Sequence, residues 1–468
     1  MSSRAEEMVR RRFLTPFEQK TEPYQVGVEV ELPLVNRRKG PVEPEFAKEL
    51  VECLRRQFDF HITAITAEGY PAEAKNPAGD TFSFETSLNT MEFAMAKNRG
   101  LWPIKRRLDA YLEALQPLCR RRDYLICGMG INPYAQYADA KALNTPILQA
   151  KAAFLREFTT HHNGEIFHAF SASTQTHLDV SLAALPDRLN LFGTLSFADA
   201  LLFSNSLPFR PDAKTGWLAT LPQCLRAELD KPNLCFRDVL WRLCEAPNTE
   251  APERAFSSLD DVVRHLLSLK LFIVSDGGEG YRPIRPVECA AYFSHESTAC
   301  MDDVRAENDF RCFRPLEPVS VSRYGTIEIR QTCTQPLAEL FVPPAFYVGI
   351  SENSARANAL VSDFRNENQI TGSNAELRRM AASGEEIVPR QRMESFLKEL
   401  VAAAEEGLKK RDMGEENLLG RLLRQEGGFE CPAERQIRLR REGYSQEEIL
   451  LAFCAMAGEN DRRACERT

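Results

Sequence analysis

Residues 24–35 read YQVGVEVELPLV. Successive side chains of an extended chain point to opposite faces. Val26, Val28, Val30 and Leu32 therefore share one face, and Gly27, Glu29 and Glu31 share the other. A strand that is apolar on one side and acidic on the other belongs in an antiparallel sheet with one buried face.

Beyond this strand the same alternation returns elsewhere. Residues 173–181, STQTHLDVS, put Ser173, Gln175, His177 and Asp179 on one face. Residues 325–333, GTIEIRQTC, put Thr326, Glu328, Arg330 and Thr332 on one face, with Ile327, Ile329 and Cys333 opposite. Residues 82–96 read as two strand pieces around a turn near Asn89 and carry Glu85 and Glu92; residues 61–76 read as a strand and hairpin, and residues 124–130 as a further extended piece. Helical spacing marks residues 45–60, through Phe46, Leu50, Val51 and Leu54, and also residues 102–118, 189–204 and 259–269. Strands recur without the βαβ rhythm of a parallel sheet, so the expected class is α+β with a mainly antiparallel sheet.

From about residue 366 the composition turns to charged helix formers, and Ser445 with Glu448 has capping-box spacing. The expected organisation is a sheet-bearing domain over residues 1–365 and a helical C-terminal region, 366–468, packed on it. The polar end from Gly458 reads as a flexible tail.

The 468 residues are 43% hydrophobic and 27% charged, enough to bury a large core. A formal charge of −8 argues against nucleic acid or an anionic membrane as the main partner, because both call for a concentrated basic surface. Thirteen scattered cysteines without a CxxC pair suit a reducing compartment. The first twenty residues fit neither a signal peptide nor a transit peptide, and no apolar run reaches membrane-spanning length. The expectation is a cytoplasmic protein.

Several distant strands thus each offer acidic or imidazole groups on one polar face: Glu29 and Glu31, Glu85 and Glu92, Gln175 and His177, then Glu328 with Arg330. Oxygen ligands with one imidazole suit Mg²⁺ or Mn²⁺. Carboxylates crowded together without a cation would repel one another. Each piece alone reads as well as a solvated sheet face, a hydrogen-bonded histidine or a surface ion pair. No GxxxxGK[ST] occurs, GMGINP at residues 128–133 fails the dinucleotide pattern, and SDGGEG at residues 275–280 reads as a turn, with a lid over a nucleotide as the lesser alternative.

The order of these segments resembles the glutamate-cysteine ligases of the glutamine-synthetase-like class, the plant-type branch in particular. GVEVELPLV is similar to the opening ExE strand of that family, and SFETSLNTMEFAM to its two-glutamate segment. STQTHLDVS, LLFSNSLPF, YGTIEIRQTCTQPLAELFVPPAFYVGI and AAAEEGLKKRDMGEENLL follow in family order. Leu207 is an insertion before Pro208, plant-type members carry Asn where His177 stands, and residues 205–315 match only loosely.

The resemblance implies a funnel-shaped active site on a glutamine-synthetase-like sheet with helices outside. It implies Glu29, Glu31, Glu85, Glu92, His177 and Glu328 as ligands of two or three Mg²⁺ or Mn²⁺ ions. Arg330 and Gln175 would face the nucleotide, Arg330 being the catalytic group on the transferring phosphoryl. The implied reaction joins the γ-carboxylate of L-glutamate to the amine of L-cysteine with ATP, the first step of glutathione biosynthesis. A γ-glutamyl ligase for another amine, or a non-catalytic relative, are the alternatives.

Overall fold

The computed structural model of the chain describes residues 3–134, 141–160, 169–208, 223–229, 231–278, 280–294, 303–424 and 428–456; the polar end from Gly458 lies outside the described residues. Among the described residues eleven strands run in chain order as β1 (Val26–Asn36), β2 (His61–Ile65), β3 (Pro71–Lys75), β4 (Thr81–Phe84), β5 (Thr90–Asn98), β6 (Tyr124–Ile126), β7 (Thr174–Leu178), β8 (Lys270–Ser275), β9 (Tyr281–Glu288), β10 (Val319–Val321) and β11 (Ile327–Ile329). Nine form one sheet in the order β10-β11-β7-β1-β5-β4-β3-β2, with β6 joined to β1; β8 and β9 make a separate hairpin. Their pairings are antiparallel, so the class is α+β.

Alternation in β1 becomes burial as expected. Val28, Val30 and Leu32 are fully enclosed, each such side chain contributing about 1.5–3 kcal/mol. Their face of the sheet is covered by helices. Phe93 of β5 stacks on Tyr111 of the helix Leu101–Arg121 at 5.7 Å. Phe46 of the helix Pro44–Phe58 stacks on Tyr124 at 4.1 Å. The helices Leu185–Thr194 and Val342–Glu352 pack at the β7, β10 and β11 end. Behind Val342–Glu352 runs the long helix Arg390–Arg411, and the two cross so closely that a Cβ on Gly349 or on Gly407 would overlap the other helix's backbone.

Some boundaries differ from the sequence expectation. Residues 189–204 form no single helix: Leu195, at φ −77° and ψ 2°, separates Leu185–Thr194 from Ser196–Phe203. Arg378 reaches in here, donating to the Ser196 carbonyl and to Asp199. β7 and β11 are shorter than their alternating runs. β7 ends at Leu178, although Asp179 N–H still donates to the Gln25 carbonyl at 3.1 Å while its side chain pairs with Lys20 at 2.6 Å, and Gly325, at φ 68°, turns the chain before β11. The extended piece after Tyr124 keeps only three ladder residues. SDGGEG joins β8 to β9, with Gly277 at φ 95° and the Asp276 side chain accepting from Gly278 N.

Candidate metal and phosphate site

Residues opposite each other in an antiparallel pair point to the same side of the sheet. The register therefore assembles the polar face row by row. Glu31 lies opposite Glu92, and Glu92 opposite Ser83. Glu29 lies opposite Gln175, and Gly27 opposite His177. His177 is in turn opposite Glu328, and Glu328 opposite Ser320. Gly27 matters here because a Cβ at that position would stand 3.3 Å from His177 Cβ, on the side where the imidazole rises.

Two triads result. Glu29, His177 and Glu328 offer ligand atoms within 4.8 Å of one another, as do Glu31, Glu85 and Glu92. Since Glu29 and Glu31 are two apart on β1, the triads are neighbours on one face. Glu92 responds electrically to both, through Glu85, Glu29 and Glu31.

Hydrogen bonds fix individual groups. His177 Nδ1 lies 2.9 Å from Thr326 Oγ1, which is itself 2.6 Å from Ser322 Oγ. With Nδ1–H donating to Thr326, Nε2 keeps its lone pair for a ligand. Nε2 is buried, stands 3.1 Å from Glu29 Oε1 and makes no aligned hydrogen bond. Glu31 accepts from Ser173 N at 2.7 Å and from Gln175 Nε2 at 2.9 Å, while Gln175 Oε1 is buried without a partner. Gln175 thus orients Glu31 directly. Arg330 donates to Glu328, and its backbone N–H bonds the Pro318 carbonyl.

The charges respond to this crowding. Burial, then the Glu85 charge, pushes the Glu31 carboxyl up to about 7. Burial followed by Glu85 and Glu29 lifts Glu92 well above the usual carboxylate range. Burial also works to raise Glu29, but the charge and hydrogen bond of His177, with Arg330 and Arg323, take it below its ordinary value. For His177 burial acts downward and is outweighed by Glu29 and Glu328. Burial likewise opposes the charge on Arg330, and Glu328, Glu29 and Glu31 more than restore it.

The residues fit a hard divalent cation on these grounds. Five carboxylates and one imidazole face a common space, burial and neighbouring carboxylates push two of the acids upward, and a buried imidazole nitrogen is left without an aligned partner. Every residue singled out from the sequence as a metal ligand falls in one triad or the other, with Arg330 and Gln175 between them. Two further groups had no sequence signal. Arg237, at the start of the helix Phe236–Cys244, is buried and its charge acts on Glu31. Arg323, in the β10–β11 turn, acts on Glu29.

No family model matches the sequence, and no curated protein matches it. Solved structures do. A glutamate-cysteine ligase from Francisella tularensis in complex with AMP is similar over 96% of this chain and 89% of that one, at 13% identity and a TM-score of 0.46. A bifunctional glutathione synthetase from Pasteurella multocida is similar over 99% of this chain but only 55% of that one, at 10% identity and a TM-score of 0.47. Among the described residues no helix is long and apolar enough to cross a membrane.

Proposed function

We propose that the chain is an ATP- and Mg²⁺-dependent carboxylate-amine ligase that joins the γ-carboxylate of L-glutamate to the amine of L-cysteine in the cytoplasm. The observation that carries the reading is the meeting of Glu29, Glu31, Glu85, Glu92, His177 and Glu328, from five separate stretches of chain, around Arg330. On this reading residues 1–365 are the catalytic domain, with a glutamine-synthetase-like sheet, and residues 366–468 pack on it.

The two triads would hold Mg²⁺ or Mn²⁺. Such ions, when bound, neutralise phosphate oxygens and the reacting carboxylate, making phosphoryl transfer a matter of positioning. The residues supply the rest. Gln175 and Ser173 hold Glu31 in place. Thr326 holds His177 with Nε2 directed toward the site. Arg330, tethered by Glu328, brings a fixed positive fork to the transferring phosphoryl group. In the first step the glutamate γ-carboxylate oxygen bonds to the terminal phosphorus of ATP and the bond to ADP breaks. In the second, the amine nitrogen bonds to the acyl carbon, phosphate leaves and the amine gives up a proton.

The test is incubation of the purified protein with ATP, Mg²⁺ and glutamate against single amino acids. Phosphate release and product mass are read together. The expected result is ADP, phosphate and a γ-glutamyl product in equal amounts with cysteine. Turnover with a different amine alone would change the acceptor and keep the reaction class; no turnover with any pair would remove the ligase reading.

A further inference from the structure

A group of arginines flanks the Glu29, His177 and Glu328 side of the site. The N-terminal helical segment that runs from Arg4 packs against the β10–β11 turn so tightly that a Cβ on Gly325 would overlap Pro16. Arg12 stands on that segment, its guanidinium 5.4 Å from the Phe310 ring and 5.8 Å from the Phe13 ring. It donates to the Arg311 carbonyl at 3.2 Å, and its Nε is buried with no partner. Arg314 Nη1 donates to the carbonyls of Arg311 and Phe313, at 2.8 and 3.2 Å. Arg323 lies over the Tyr324 ring at 4.9 Å and donates to the Tyr324 hydroxyl at 2.7 Å.

Among the described residues none of these three guanidinium groups has a carboxylate at ion-pair distance. They repel one another instead. Burial, then Arg314 and Arg323, presses Arg12 down to about 10. Arg314 reaches solvent and is still lowered, by burial and by Arg323. The turn bearing Arg323 is also the one tied to His177 through Thr326 and Ser322. Electrically, Arg323 acts on Glu29, and Arg314 feels Glu328.

Positive groups held together with no carboxylate at ion-pair distance among the described residues, one of them with an unpartnered buried N–H, make a receptor for an anion. Planar guanidinium forks match paired oxygens, as in phosphate or carboxylate. We infer that Arg12, Arg314 and Arg323 bind an oxyanion of the substrate that spans the Glu29, His177 and Glu328 centre. The proposed function enters only in calling that oxyanion the substrate's. Two sources share this chemistry: the polyphosphate of the nucleotide and a carboxylate of the amino acid.

Calorimetric titration distinguishes them. The wild type and the Arg314→Gln/Arg323→Gln double variant are titrated with tripolyphosphate and, separately, with L-glutamate, in EDTA so that no divalent ion bridges ligand to acid. Both replaced side chains reach solvent, and thermal unfolding verifies that the variant is folded. A charge-assisted hydrogen bond lost on binding is worth about ten-fold or more in affinity. The inference expects the double variant to lose at least that for one probe, with weaker salt dependence. Loss confined to tripolyphosphate assigns the cluster to the nucleotide, and loss confined to glutamate assigns it to the amino acid. Equal binding of both probes to both proteins, or binding of neither to the wild type, overturns the inference. If the anion loss is seen but wild-type turnover with ATP and Mg²⁺ is absent, the receptor stands and the ligase reading falls.

Discussion

Replacing Glu31 by glutamine should stabilise the cation-free protein at alkaline pH while weakening its response to divalent cations. In the folded chain the Glu31 carboxyl is held near 7 by burial and by Glu85, against an ordinary value of 4.5. A folded value above the unfolded one means that this stabilisation is complete below about 4.5 and lost as pH rises through 7. The difference corresponds to about 3 kcal/mol of destabilisation by the ionised carboxylate at pH 8. The amide that replaces it carries no charge, and the site can accommodate it. Ser173 N still finds an oxygen, and Gln175 can turn its own amide so that its unpartnered Oε1 accepts from the new NH₂. For a chain of this size, roughly 3 kcal/mol raises the unfolding midpoint by about 3–6 °C.

The assay is thermal unfolding of wild type and Glu31→Gln at pH 5 and pH 8, in EDTA and in Mg²⁺. The expected pattern is a variant more stable than wild type at pH 8 in EDTA, near parity at pH 5, and a Mg²⁺ stabilisation smaller than in wild type, since the Glu29, His177 and Glu328 triad remains. An ion present at 100 times its dissociation constant adds about 2.7 kcal/mol. A variant that is less stable at pH 8, or that gains as much from Mg²⁺ as the wild type, would rule out Glu31 as a strained, cation-seeking carboxylate.

Arg330→Lys keeps the charge and loses the fork, so turnover should fall about 30- to 1,000-fold with little change in KM for ATP; a simple ion pair with Glu328 would show an effect within about 1 kcal/mol, and steady-state kinetics decides. Gly27→Val places methyl groups against His177, and calorimetry should show divalent-cation affinity reduced about 10- to 100-fold with folding intact; unchanged affinity would detach His177 from the metal. Gly407→Val forces apart the crossing with the helix Val342–Glu352 and should cost about 1–3 kcal/mol or more in denaturant unfolding; an unchanged midpoint would mean that the crossing relaxes freely.

Legibility in the sequence follows the period of the sheet. VGVEVELPLV shows both its faces because β1 is long and central, with an apolar side against helices and an acidic side toward the site, and Met91 and Phe93 flank Glu92 for the same reason. Alternation can put Glu29, His177 and Glu328 on polar faces, but it cannot say that those faces adjoin. That depends on β7 and β11 lying beside β1, a matter of long-range pairing. β10 and the hairpin of β8 and β9 escaped notice. β10 has only three residues, and the apolar run of β8, LFIV, reads equally as part of a helix. Alternation also runs past the ends of β7 and β11, because a polar residue such as Asp179 keeps the pattern while its side chain serves an ion pair with Lys20. Arg237 and Arg323 carry no local pattern: the first is held at the start of its helix by hydrogen bonds to Ser206 and the Gln331 carbonyl, and the second stands in the turn between β10 and β11.

If His177 and five carboxylates hold divalent cations on one face of the sheet, Mn²⁺ bound there must report on them. Electron paramagnetic resonance of the Mn²⁺-loaded protein, compared with His177→Ala, reads both the number of bound ions and coupling to a ligand nitrogen. At least two bound ions per wild-type chain are expected in the presence of ADP, with nitrogen coupling that disappears in His177→Ala. Failure to bind Mn²⁺ with the nucleotide present, or nitrogen coupling that survives the substitution, would show that this face is not the metal site.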